Sequence, residues 1–167
     1  MRLFIAIRLS RPLVETLKQA QRDMRHQGAE GNFSREENLH LTLAFLGETG
    51  DAAGALSAME EVSGGGAIRL AVSGVGRFGD LWWAGVEENL RLKTAAENLQ
   101  SALRRRGFSI EKRAFRPHVT LARRVRSPGP LRLSVPRREM TAAGMSLMKS
   151  ERIGGKLTYT EIGYVPF

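Results

Sequence analysis

Two of the chain's three histidines head the same short pattern. His40-Leu41-Thr42-Leu43-Ala44 and His118-Val119-Thr120-Leu121-Ala122 both read His-apolar-Thr-Leu-Ala, and they lie 78 residues apart. Threonine fills 8 of 167 positions, so its recurrence two places after two of three histidines has odds of about 1% by composition. On a strand, residues two apart project from one face, so each copy presents an imidazole and a hydroxyl together. Imidazole has an ordinary pKa of about 6.5, which lets one copy carry a proton while the other is free to accept one. Such a pair can act as general acid and general base, while the threonine hydroxyls donate to non-bridging phosphate oxygens and a nearby arginine offsets developing charge. The chemistry is in-line cleavage of a phosphate ester held between two imidazoles, without a metal. A lone strand histidine is more often a packed side chain; the repetition is what singles these two out.

Other motifs carry less. Gly74-Val75-Gly76-Arg77-Phe78-Gly79 has the spacing of a dinucleotide fingerprint, but it precedes a strand-like run and opens no helix, so it reads as turn glycines. The chain has no cysteine, which excludes disulfides, thiolate metal sites and a cysteine nucleophile. Two histidines without a His-Glu-x-x-His helix make a thin case for zinc, and no cofactor is expected. His26 falls at an expected helix end, where a cation complements the helix dipole.

The elements that must hold the two motifs are legible as patterns. Leu3 to Ile7 reads as a strand, and Ser10 with Pro12 starts a helix whose face carries Leu13, Leu17, Ala20 and Met24 before Gly28. In the next strand, alternation places Leu41, Leu43 and Phe45 on one side and His40, Thr42 and Ala44 on the other. Asp51 caps a helix with Leu56, Met59 and Val62, and Ile68 to Val72 is strand-like. The second half repeats the theme with a strand at Leu81 to Val86, a helix carrying Leu92, Ala95, Leu99 and Leu103, and the strand of His118. Later strands are expected at Met140 to Met148 and Leu157 to Val165. The offset of 78 also superposes Leu3 on Leu81, Phe4 on Trp82 and Ala6 on Ala84, which argues for an internal duplication.

A 167-residue chain with 42% hydrophobic residues is the size and composition of one folded domain. Its net charge of +9 is local: Arg104 to Arg138 holds twelve basic residues and one acid, a net of +11, and the rest sums to −2. That segment is expected to hold a polyanion. The N-terminal apolar run of five residues falls short of the roughly 7–15 of a secretory signal and the ~20 of a membrane span. A soluble, cytoplasmic, monomeric protein is expected.

The segments Asn38 to Glu48 and Arg116 to Arg123 resemble the paired H-x-T-x motifs of the two-histidine (2H) phosphoesterases. They are closest in pattern to the RNA 2′,3′-cyclic phosphodiesterase branch, also called the 2′-5′ RNA ligase family. Arg2 to Ile7, Trp83-Ala84-Gly85 and Gly155 to Phe167 are similar to that branch as well. The resemblance implies a bilobal, duplicated α+β fold, with two antiparallel sheets flanked by helices around a central cleft. Residues 1–167 would form a single domain of two pseudo-symmetric lobes, each with one motif, at 40–43 and 118–121. The implied activity is hydrolysis of RNA 2′,3′-cyclic phosphate ends to 2′-phosphate, with 2′-5′ ligation as the reverse. His40 would be the general acid and His118 the general base, and Thr42, Thr120 and Arg123 would hold the phosphate. Strict alternation points Arg123 away from His118 unless the strand bulges at Ala122. The competing readings are a phosphodiesterase acting on a small cyclic nucleotide or an ADP-ribose cyclic phosphate, and a non-catalytic RNA-binding module using the basic segment with Trp82 or Trp83.

Overall fold

The apolar run near the N-terminus becomes the interior strand of a sheet because both its faces are covered. In the computed structural model, which describes residues 1–167, β1 (Arg2–Arg8) turns Leu3, Ile5 and Ile7 into the main core. Phe4 and Ala6 turn the other way, into a small cluster with Met148. Helix α1 (Arg11–His26) follows, with Pro12 in its first turn and Leu13, Leu17, Ala20, Gln21 and Met24 on its buried face. The chain then runs through β2 (Glu30–Phe33), a 3₁₀ turn at Glu36–Asn38 and β3 (His40–Glu48). Helix α2 (Ala52–Glu61) is capped by Asp51, which accepts from the Gly54 N–H at 2.8 Å.

The hairpin of β4 (Ile68–Phe78) and β5 (Leu81–Val86) leads into α3 (Leu90–Arg105), capped by Asn89. The chain finishes with β6 (His118–Arg126), β7 (Arg138–Ala142), β8 (Gly144–Ile153) and β9 (Lys156–Pro166).

The fold is α+β. Four strands form one sheet in the order β3-β1-β8-β9, five form the other in the order β2-β6-β5-β4-β7, and every pairing is antiparallel. One continuous core of 34 buried residues joins the sheets to the three helices. No helix is long and apolar enough to cross a membrane.

Three expectations are corrected. The run Met140 to Met148 is not one strand: the chain leaves the second sheet at Ala142 and enters the first at Gly144. Gly74 and Gly76 lie inside β4, not in a turn. Gly76 is needed there because a β-carbon at that position would stand 2.2 Å from the Trp83 ring, which lies across it. Finally, Ala44 is buried and Phe45 is 61% exposed, the reverse of simple alternation.

The cause of that reversal is a one-residue bulge. Ile5 pairs with Ala44 and Ala6 with Thr42, so Leu43 has no opposite number. The same happens 78 residues later, where Trp82 pairs with Ala122 and Trp83 with Thr120, leaving Leu121 over. A bulge frees backbone groups from the ladder, and buried ones need another partner. Each bulge has one from a helix. Gln100 on α3 donates to the Leu43 carbonyl at 2.8 Å, and Gln21 on α1 donates to the Leu121 carbonyl at 2.9 Å. The Ser34 N–H also donates to the Leu121 carbonyl. Replacing Gln100 by Leu leaves the Leu43 carbonyl without this donor, a loss of about 1–3 kcal/mol. Urea denaturation is expected to show a lower midpoint with an unchanged slope; an unchanged midpoint would mean the clamp is dispensable.

Candidate active site

His40 and His118 open β3 and β6 at the same local geometry. The Nδ1 of His40 lies 2.6 Å from the Asn38 carbonyl, and that of His118 lies 2.7 Å from the Arg116 carbonyl. A carbonyl can only accept, so Nδ1 carries the hydrogen in both rings and Nε2 is the working nitrogen. The Nε2 of His40 is 2.8 Å from the Thr42 hydroxyl, which donates to it when the ring is neutral. The Asn38 side chain in turn donates to the Leu157 carbonyl at 3.0 Å, tying the start of β9 to the turn that orients His40.

Each imidazole sits among aromatic rings. His40 packs against Phe4, with ring centres 4.9 Å apart, and meets the Tyr159 ring edge-on at 5.3 Å. His118 meets Phe78 edge-on at 5.4 Å and lies 6.1 Å from Trp83. Trp83 is therefore the tryptophan on the histidine face, while Trp82 packs against the core with Arg77 over its ring.

The bulge at Leu121 brings Arg123 onto the same face. Arg123 lies close enough for its cation to act on His40 and on Tyr159, and His118 acts on His40 too. Strict alternation would have turned it away. The equivalent position on β3 is Phe45, brought round by the bulge at Leu43.

Burial against Phe4 and Tyr159 holds the His40 pKa below its ordinary value; the Asn38 carbonyl opposes this, and the Arg123 cation reinforces it. Burial raises the pKa of Tyr159, against the pull of Arg123 and Arg2. In the free protein His40 thus favours the neutral state, and an anion placed beside it would favour its proton. Tyr159, Phe4, Phe78 and Arg2 were not singled out from the sequence as site residues. Tyr159 lies 119 positions from His40, on the long β8-β9 hairpin, and nothing local to either residue records their contact.

The basic segment is divided in its uses. Arg104 donates to the carbonyls of Ile110 and Glu111, Arg105 and Arg106 pair with Glu61, and Arg113 pairs with Glu111. Arg137 pairs with Glu87 and Glu139, and Arg138 donates to Thr16. These six brace the body of the protein. Arg116, Arg123 and Arg124 have no carboxylate partner, and Arg124 holds a left-handed φ of 52°, a conformation that is rare and costly for a side chain of this kind.

The family described as the 2′-5′ RNA ligase superfamily matches residues 9–151. The chain belongs to that superfamily. Among its curated relatives, the RNA 2′,3′-cyclic phosphodiesterase of Geobacillus stearothermophilus is 32% identical over 135 residues, covering 76% of this chain and 43% of that protein. The chain's match thus spans less than half of that relative's length. The protein of the same name from Thermotoga maritima is 33% identical over 133 residues, covering 74% of this chain and 70% of its own. Among solved structures of similar fold, E. coli LigT complexed with 3′-AMP is 26% identical with a TM-score of 0.83, covering 99% of this chain and 97% of LigT.

The depressed His40 pKa has a stability consequence. Below about pH 6.5 the unfolded histidine binds a proton that the folded one resists, so the term destabilises the fold as pH falls from there through the folded pKa. Stability measured between pH 5 and 8, against His40→Ala, should show the wild type falling more steeply on the acid side; parallel curves would contradict the burial argument.

Proposed function

We propose that this member of the 2′-5′ RNA ligase superfamily hydrolyses RNA 2′,3′-cyclic phosphate ends to 2′-phosphates by metal-independent acid/base catalysis with two histidines. The observation that carries the reading is the matched pair of imidazoles. Each has Nδ1 committed to a carbonyl two residues upstream, and each shares its strand face with a threonine two residues on. The names of the Geobacillus and Thermotoga relatives and the nucleotide held by LigT support it.

The cyclic phosphate sits between the two strands, its non-bridging oxygens held by the hydroxyls of Thr42 and Thr120 and by the Arg123 guanidinium. His118 takes a proton from water on Nε2 as the oxygen attacks phosphorus. The bond from phosphorus to O3′ breaks, and the Nε2–H of His40 protonates O3′. The products are a 2′-phosphate and a 3′-hydroxyl, and the two histidines have exchanged protonation states. His40, neutral by preference in the free protein, gains its proton as the phosphate anion arrives. With a 5′-hydroxyl in place of water as the nucleophile, the same steps in the same direction form a 2′-5′ linkage, and their reversal cleaves it. The reading takes the protein as a cytoplasmic monomer of one domain, made of two pseudo-symmetric lobes. The crossed clamps of Gln21 on Leu121 and Gln100 on Leu43 support that symmetry.

On a cyclic-phosphate oligoribonucleotide in EDTA, His40→Ala and His118→Ala should each lower kcat by about 10²–10⁴. Thr42→Val and Thr120→Val should each lose about 10- to 100-fold. End-group analysis should find a 2′-phosphate, whereas a 3′-phosphate would exchange the proton donor's target and refute the assigned roles. The pH profile should be bell-shaped, with limbs belonging to the coupled pair. The alkaline limb of kcat should lie at higher pH than that of kcat/KM, because bound substrate favours protonated His40; coincident limbs would contradict this.

A further inference from the structure

A hollow of mixed polar and apolar lining lies on the same face of the first sheet as His40 and Thr42. It has a volume of about 510 Å³ and is bordered by Arg8, Ser146, Glu161 and Tyr164, with the Met140–Ala143 segment as its far wall. The cross-strand register leads straight to it: Thr42 pairs with Ala6, Ala6 with Ser146, and Ser146 with Tyr164. Ala6 and Ser146 face away from the core, since their neighbours Ile5, Ile7, Met145 and Leu147 all enter it. With neighbouring strands about 4.8 Å apart, Tyr164 stands about 14 Å from Thr42, and the two side chains between them are small.

The hollow is built as a nucleotide site would be. Tyr164 lies across Gly144, where a β-carbon would stand 2.5 Å from its hydroxyl. The glycine thus allows the ring to lie along the sheet, and Tyr164 remains 49% exposed. Beside it, the carboxylate of Glu161 accepts from Ser146 at 2.6 Å, and Ser146 is only 2% exposed. Arg8 lies 3.5 Å from the same carboxylate. A flat aromatic surface, an acceptor held in place and a cation match the base, ribose hydroxyl and phosphate of one nucleotide.

We propose that this hollow binds the ribonucleotide preceding the terminal one, with its base on Tyr164, its 2′-hydroxyl donating to Glu161 and the linking phosphate near Arg8. The inference rests on the hydrolase reading above and adds to it a preference for chains over mononucleotides. No residue of the hollow takes part in the acid/base chemistry.

The test compares kcat/KM on adenosine 2′,3′-cyclic phosphate with that on the ApA dinucleotide carrying the same cyclic end. Wild type should favour the dinucleotide by roughly tenfold, at the low end of what one stacked base contributes. Tyr164→Ala and Glu161→Gln should reduce that advantage while leaving the mononucleotide rate unchanged, and Tyr164→Phe should keep it. A dinucleotide with a 2′-deoxy first residue should lose the share that Glu161 supplies. Equal rates of wild type on both substrates, or variants that slow both equally, would overturn the proposal. If wild type turned over neither substrate, the hydrolase reading would be the one that fails. Binding of the 2′-phosphate-ended dinucleotide, followed by fluorescence anisotropy, then decides on the hollow alone: weaker binding by Tyr164→Ala upholds it, and unchanged binding overturns it.

Discussion

The two histidine-bearing faces depend on two single-residue bulges, at Leu43 and Leu121, each clamped by a glutamine from a helix. A bulge changes which way every later side chain on its strand points. Without the first, Phe45 would enter the core and Ala44 would join the histidine face. Without the second, Arg123 would turn away from His40. The clamps are crossed between the halves of the chain: α1, which follows β1 of the first sheet, holds the bulge of the second, and α3 holds that of the first. Helix packing and strand phase are therefore one arrangement, and the same hydrogen bonds that satisfy two buried carbonyls also turn Phe45 and Arg123 onto the faces that carry the histidines.

Within that frame the two imidazoles are alike in orientation and unlike in surroundings. Both donate Nδ1–H to a backbone carbonyl two residues upstream, a contact local enough to be set as soon as the strand forms. His40 alone is enclosed by Phe4 and by Tyr159 from the β8-β9 hairpin, so desolvation acts most strongly there. Asymmetry between two similar motifs is what acid/base division of labour needs. Here it comes from which hairpin curls over which strand.

Much of the fold was legible because its elements follow simple periods. The helices α1 and α3 carry clear apolar faces, and β1 is a run buried on both sides. By contrast, β2 is four mostly exposed residues, Glu30–Phe33, with no apolar signal; it exists because the edge of β6 offers it partners. The division of Met140 to Met148 between two sheets was hidden for a similar reason, since both pieces are apolar and strand-like and only their partners differ. Aromatic residues at the site were visible as residues but not as neighbours: Trp83 and Trp82 are adjacent in sequence and face opposite ways.

The sequence by itself determined the chemistry available: two His/Thr pairs at one offset, no cysteine, an arginine after the second motif, and the order of strand and helix that presents them. These are properties of residue type and short-range spacing. Tertiary structure decided which of those residues share a face and which histidine is desolvated. Strand phase past a bulge depends on a hydrogen-bond donor 57 or 100 positions away, and the environment of His40 depends on a ring brought in from the far end of the chain. Burial and carbonyl satisfaction are set by elements that meet only after folding, so no local pattern could contain them.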